Sequence, residues 1–216
     1  KSFFNIEAEN INSIKEIILA NESEVVINAI GITKQLISKM DKEECSYINS
    51  IFPHDLFKLC DEVGSRLIHL STDCIFSGKK GFYSELDIPD AIDFYVKTKI
   101  IGEVNELNAL TIRKSTIGLE NGDTHGLLEW FLKSRGSIKG YRKAIYSGLT
   151  TIEFSKVINF IINEQKDLSG IWNVSSESIS KYDLLNKLSI LMKRKDIEIV
   201  PDDSFCCDRS LDGSAF

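Results

Sequence analysis

The sequence predicts an α/β fold, a doubly wound parallel sheet followed by a smaller and less regular lobe. Three observations predict it. Near-continuous apolar, β-branched runs alternate with amphipathic helical patterns through the first half of the chain, the signature of strands buried on both faces by helices. Each run is followed by small and hydroxylated residues, where such sheets place their ligands. Beyond residue 119 the alternation fades, and Gly122, Gly126, Gly136, Gly140 and Gly148 punctuate short segments such as "HGLLEWFLKSRG".

Taken in order, a helical pattern over 10–20 leads into the strand "VVINAI" (Val25–Ile30). A second helical stretch, 41–63, precedes the strand "LIHL" (Leu67–Leu70). The pattern "DFYVKTKIIGEVNELN" predicts a helix over 93–108 with Asp93 as N-cap and a buried face of Phe94, Ile100, Ile101, Val104 and Leu107. The strand "ALTI" (Ala109–Ile112) follows. Residues 150–165 read as a helix capped by Thr150 or Thr151 with Glu153 in its first turn, packing back on the main sheet. The strand "IWNV" (Ile171–Val174) comes next. A last amphipathic helix spans 179–195, with a Leu and Met stripe read as core and a basic final turn that suits the helix dipole. These elements divide the chain into a sheet domain, 1–118 with 150–174, and a lobe made of 119–149 and 175–216.

Composition narrows the function. With 216 residues, 43% of them apolar, the chain is long enough to bury a sizeable core. Its formal charge of −6 and pI near 5.2 argue against nucleic acid or an anionic membrane as partner. The five cysteines (45, 60, 74, 206, 207) show no C-x-x-C spacing, which suits free thiols in a reducing cytosol rather than a disulfide framework or zinc site. There is no apolar run of transmembrane length, no signal-peptide layout and no internal repeat. The expectation is a soluble cytoplasmic protein; a homodimer is compatible with the sequence, but no segment calls for one.

The predicted strand ends carry Asn28-Ala29-Ile30-Gly31, Ser71-Thr72-Asp73 and Arg113-Lys114-Ser115-Thr116. Each could be ordinary turn chemistry, or could admit a planar ligand. Tyr95 and Lys99, four apart on a helix, lie one above the other. An ammonium beside a phenol favours phenolate, and the spacing predicts a Tyr95 pKa below its ordinary value of about 10. Thr72 precedes Tyr95 by 23 residues at a strand end facing the same crevice. A hydroxyl and a tunable phenol aimed at one oxygen form a device for reducing a carbonyl or oxidising an alcohol. No side chain supplies hydride, so a nicotinamide cofactor is implied.

"LIHLSTDCIFSG" followed by "GFYSELDIPDAIDFYVKTKIIGE" resembles the extended short-chain dehydrogenase/reductases, and among them the dTDP-4-dehydrorhamnose reductase-like sugar-nucleotide reductases. The resemblance extends to "VVINAIG", Asn49, Arg113, "SGLTT" and "DRSLD". It implies a Rossmann-like sheet with a substrate lobe, and NADPH- or NADH-dependent reduction of a nucleotide-linked 4-keto sugar for rhamnose-type, capsule or O-antigen synthesis. Thr72 would hold the carbonyl oxygen, Tyr95 would donate the proton, and Lys99 would lower the Tyr95 pKa and hold the nicotinamide ribose. Asn28, Ala29, Ile30, Gly31, Ser71, Ser115 and Thr116 would line the cofactor. Asp73, Cys74 and Arg209 would face substrate, Arg209 toward the diphosphate; Arg209 could equally pair with Asp208 or Asp212. No metal is implied.

The chain departs from the family where the family's Gly-x-x-Gly-x-x-Gly turn would hold the dinucleotide pyrophosphate, since none of the thirteen glycines forms it. By the family's order "KSFFNIE" is the third strand, so the sheet is expected to be incomplete at the N-terminus. The chain is expected to be a piece of a longer protein that binds NAD(P) poorly by itself. Cys74 stands where the family often has an aromatic residue, and His125 and Trp130 read as packing residues or sugar contacts. A competing expectation is a non-catalytic binding protein on the same fold, like the regulatory β subunit of methionine adenosyltransferase.

Overall fold

A computed structural model of the chain describes residues 6–119 and 126–216. Helix α1 (Ile11–Ala20) leads to strand β1 (Val25–Asn28). Helix α2 (Lys42–Ser46) runs through one π-helical turn, Tyr47–Ile51, into α3 (Phe52–Val63), followed by β2 (Arg66–Leu70). A 3₁₀ turn at Asp73–Ile75 precedes α4 (Phe94–Ile101) and β3 (Ala109–Lys114). Then come β4 (Thr116–Ile117), α5 (Leu127–Lys133), β5 (Gly136–Tyr146), β6 (Leu149–Thr150) and α6 (Thr151–Glu164). The chain closes with β7 (Gly170–Val174), β8 (Ile179–Ser180), α7 (Lys181–Leu191) and β9 (Ile197–Asp208).

The main sheet has the order β1-β2-β3-β7, with β1–β2 and β2–β3 parallel. Val26, Leu67 and Ala109 pack on one face with Ile14 and Ile18 of α1 and Phe52, Leu56 and Leu59 of α3. The alternate residues Ile68, Leu110 and Ile112 point to the other face and are fully buried too. Burial on both faces is what the unbroken apolar runs predict, and it makes this the α/β, Rossmann-like sheet expected.

Two compact units are present. The first comprises 1–75, 92–113 and 161–172; the second comprises 76–91, 114–160 and 173–216. The second unit is of near-equal length to the first, takes in 76–91 and begins at 114. It contains the sheet β8-β5-β9, in which β5 pairs parallel with the long β9 and antiparallel with β8. Both long strands escape a hydrophobicity reading because their faces are largely solvated and carry Lys139, Arg142, Asp202 and Asp203. Within this unit Tyr83 stacks on Phe76 and bridges to Leu211.

Two predicted helices are shortened. The helix expected over 93–108 stops at Ile101, because Gly102 packs directly on the Asn49 carbonyl and Val104 is captured by Thr111, whose hydroxyl accepts from the Val104 N–H and donates to its C=O. Its inward face carries Val96, Thr98 and Lys99, while Phe94, Ile101 and Leu107 are 37%, 61% and 93% exposed. The apolar residues were therefore the wrong guide to its orientation. The helix expected over 179–195 covers Lys181–Leu191 and buries Leu185, leaving Ile190 and Leu191 exposed. The Arg194 side chain, past its end, pairs with Asp196, while its backbone N–H donates to the last-turn Ser189 carbonyl at 2.9 Å. Thr150 caps α6, accepting from the Glu153 N–H at 3.1 Å, as the sequence suggests. Most of "KSFFNIE" and all of His125 lie outside the described residues; Ile6 and Glu7 are in no strand.

Candidate active site

The first unit gathers the ends of β1 and β2 and the first turns of α4. Asp93 caps α4, its Oδ1 accepting from the Val96 N–H at 3.0 Å, and its other oxygen meets the Lys34 ammonium at 2.7 Å. The cap sets the helix start, so that Tyr95 falls in the first turn and Lys99 one turn on. Thr72 follows β2. Its hydroxyl donates to Asp73 Oδ1 at 3.2 Å, accepts from the Cys74 N–H at 3.1 Å, and interacts with the Tyr95 phenol.

Tyr95 departs from the expected electrostatics. Its pKa is raised, not lowered: burial is the largest cause, and the neighbouring Cys74, Asp73 and Asp93 add to it, while the bond to Thr72 pulls the other way. Burial penalises the phenolate more than nearby groups stabilise it, so the side chain stands as a neutral phenol. Lys99 is buried, and its ammonium is turned to the Leu70 carbonyl at 3.4 Å.

Around the pair, side chains brace one another. Asn49 lies fully buried in the π-helical turn, a distortion that recurs at functional sites. Its amide donates to Thr98 Oγ1 and the Ile32 carbonyl and accepts from the Ile32 N–H at 2.9 Å, which fixes the loop after β1. Gly31 in that loop sits against Asn49 and Lys99: a Cβ there would lie 3.6 Å from the Lys99 nitrogen. Asn28 is buried. Its side-chain oxygen accepts from the Ile30 N–H, which orients the amide so that its NH₂ donates to His69 Nδ1 at 3.1 Å.

Asn28, Gly31, Ser71, Thr72, Asp73, Cys74, Tyr95 and Lys99 thus share one unit, with Ala29 and Ile30 exposed between Asn28 and Gly31. Ser71 is buried, its hydroxyl turned inward to Glu103 at 2.7 Å. Ser115, Thr116 and Arg209 belong to the second unit. There Thr116 Oγ1 accepts from Lys114 Nζ, the Ser115 carbonyl accepts from the Leu149 N–H, and Arg209 Nε donates to the Phe76 carbonyl at 2.9 Å. Trp130, in α5, is 44% exposed. Among the described residues no group of three or more His, Cys, Asp or Glu could hold a metal ion, and no helix is long and apolar enough to cross a membrane.

Sequence reading did not single out His69 or Glu103 as site residues. Polar residues inside otherwise apolar strands, or directly after a capped helix, were the available signal, since a buried polar group demands a partner.

A parallel α/β sheet whose strand ends meet a helix bearing tyrosine and lysine four residues apart defines a Rossmann-like α/β class. The chain belongs to the RmlD substrate binding domain family, whose model matches residues 4–120. It is 31% identical over 128 residues to a probable low-salt glycan biosynthesis reductase, Agl14, of Haloferax volcanii, a match covering 57% of this chain and 43% of that protein. It is 28% identical over 106 residues to the methionine adenosyltransferase 2 subunit beta of Bos taurus, covering 47% of this chain and 32% of that one. The chain thus spans under half the length of these relatives. Among solved structures it superposes on a dTDP-4-dehydrorhamnose reductase of Bacillus anthracis in complex with NADP, with a TM-score of 0.78, 20% identity, and coverage of 95% of this chain and 77% of that one. At that identity the likeness is one of fold.

Proposed function

We propose that this chain carries the proton-transfer site of a reductase that reduces a nucleotide-linked 4-keto sugar with NADPH or NADH. The observation that carries this reading is the neutral Tyr95 phenol beside the Thr72 hydroxyl at a strand end, with the Lys99 ammonium buried behind. The likeness to the probable glycan biosynthesis reductase supports the substrate class.

The residues present fit the nicotinamide end of a dinucleotide. The loop that holds Gly31 runs against the Lys99 ammonium, a Cβ on Gly31 lying 3.6 Å from its nitrogen, and Asn28 and Asn49 hold that loop. Lys99 would hold the ribose, with Asn28 to Gly31 along the ring. The chemistry that a bound nicotinamide would supply there is hydride transfer to the carbonyl carbon. Thr72 donates a hydrogen bond to the carbonyl oxygen as negative charge develops there. Tyr95 transfers its proton to that oxygen, giving the alcohol. An alkoxide is a far stronger base than a phenolate, so the transfer runs downhill even from a phenol with a raised pKa, and solvent then reprotonates Tyr95.

A second reading, a non-catalytic regulatory protein, is favoured by the likeness to the adenosyltransferase β subunit. Assaying the full-length protein with dTDP-4-dehydrorhamnose and either dinucleotide separates the two. The reductase reading expects Tyr95→Phe to lose about a hundredfold or more in kcat with dinucleotide affinity kept. Unchanged turnover in Tyr95→Phe would sink the assignment of Tyr95, and dinucleotide binding without turnover by the wild type would favour the regulatory reading.

A further inference from the structure

One carboxylate in the first unit ties together three segments that meet at the candidate site. Glu103 Oε1 accepts from Ser71 Oγ at 2.7 Å and from Arg113 Nε at 2.9 Å, and Glu103 Oε2 accepts from Arg113 Nη2 at 2.7 Å. Both partners of the ion pair are 5% exposed at the side chain, and Ser71 is 3% exposed. Ser71 immediately precedes Thr72 at the end of β2. Glu103 lies four residues beyond Lys99, in the turn that Gly102 and Thr111 hold tightly, and Arg113 is the next-to-last residue of the adjacent strand β3.

We propose that Ser71, Glu103 and Arg113 are positioning residues, which set the Thr72 hydroxyl against the Tyr95 phenol. The proposal rests on the reductase reading above and deepens it. Its physical basis is adjacency: Ser71 and Thr72 are consecutive residues just beyond β2, so a Ser71 held in place restricts where the Thr72 hydroxyl can lie. Ser71 is pinned twice, by its N–H donating to the Ile112 carbonyl at 2.8 Å and by its hydroxyl on Glu103. Glu103 is in turn covalently close to the helix that bears Tyr95 and Lys99, so one bidentate pair references both halves of the site to the same strand. A buried ion pair contributes little net stability, because desolvation offsets its attraction. A geometric role accounts for it better, since transition-state hydrogen bonds lose about a hundredfold in rate for a misplacement of roughly 1 Å.

The three side chains are engaged with one another, so the test must separate positioning from folding. Ser71→Ala removes the hydroxyl link and leaves the ion pair intact. In the full-length protein, assayed with dTDP-4-dehydrorhamnose and NADPH, it is expected to lower kcat about tenfold while the dinucleotide KM and the melting temperature stay near wild type. In a Thr72→Ala background the same change is expected to add nothing, because Ser71 acts through Thr72. An unchanged kcat in Ser71→Ala, a loss that multiplies with that of Thr72→Ala, or a loss explained wholly by a fall in melting temperature overturns the proposal. Tyr95→Phe runs beside it as the control. If that variant keeps full turnover, the reductase site itself is misassigned; if it is inactive while Ser71→Ala is not, only the positioning role falls.

Discussion

At the scale of single residues, buried polar groups decide the character of the site. His69 sits fully buried in β2, where burial, with the Lys99 and His54 charges, pushes its pKa down to about 3. Its Nδ1 accepts from Asn28, so the proton rides on Nε2, and the ring is neutral in the fold. An unfolded histidine titrates near 6.5. Between the two values the unfolded chain binds more protons than the native one, so the stability that a neutral His69 contributes is complete above about pH 6.5 and is lost as pH falls toward 3. Urea midpoints at pH 7 and pH 4.5 are therefore expected to drop more for the wild type than for His69→Gln, which keeps a polar side chain but cannot titrate. A parallel drop in both would remove His69 from the account. The same desolvation explains why spacing did not give the direction of the Tyr95 shift: spacing says which residues share a helix face, but the depth of burial sets the cost of the charged form.

At the scale of elements, the placement of α4 depends on one missing side chain. A Cβ on Gly102 would lie 1.9 Å from the Asn49 carbonyl oxygen, a backbone atom in the π-helical turn that cannot swing aside. Gly102→Ala is thus expected to cost about 1–3 kcal/mol or more, read as a lowered chemical-denaturation midpoint, and to disturb the Asn49 bonds to Ile32 and Thr98. A variant as stable as wild type would show that the α4–Asn49 contact is looser than this geometry requires. The existence of α4, its Asp93 cap and the strands before and after it were legible in local pattern. Its end and its buried face were not, because these depend on Asn49 and Thr111, 53 and 9 residues away in sequence from Gly102. Strands β5 and β9 were illegible for the opposite reason: strands with charged, solvated faces leave no apolar run to read.

At the scale of the whole molecule, the five thiols report how the chain opens. Cys45 and Cys60 are fully buried, and burial pushes the Cys60 thiol up to about 12. Cys206 is exposed, and Cys74 and Cys207 are partly so. Labelling with a thiol-reactive disulfide at pH 8 is expected to resolve Cys206 as fast-reacting, with Cys45 and Cys60 modified only as the first unit unfolds in denaturant. Rapid native-state labelling of Cys60 would contradict the packing of α3 on β2.

The sequence by itself determined the alternating sheet, the family and the strand ends, and singled out Thr72, Tyr95 and Lys99 as candidates, because periodicity, caps and short motifs are local properties. Only the tertiary structure decided where the second unit begins, how α4 is turned, that Tyr95 is held as a neutral phenol, and that Ser71 faces Glu103 and Arg113. Burial and hydrogen-bond partnership depend on residues brought together from distant parts of the chain, and no local pattern encodes which of them will meet.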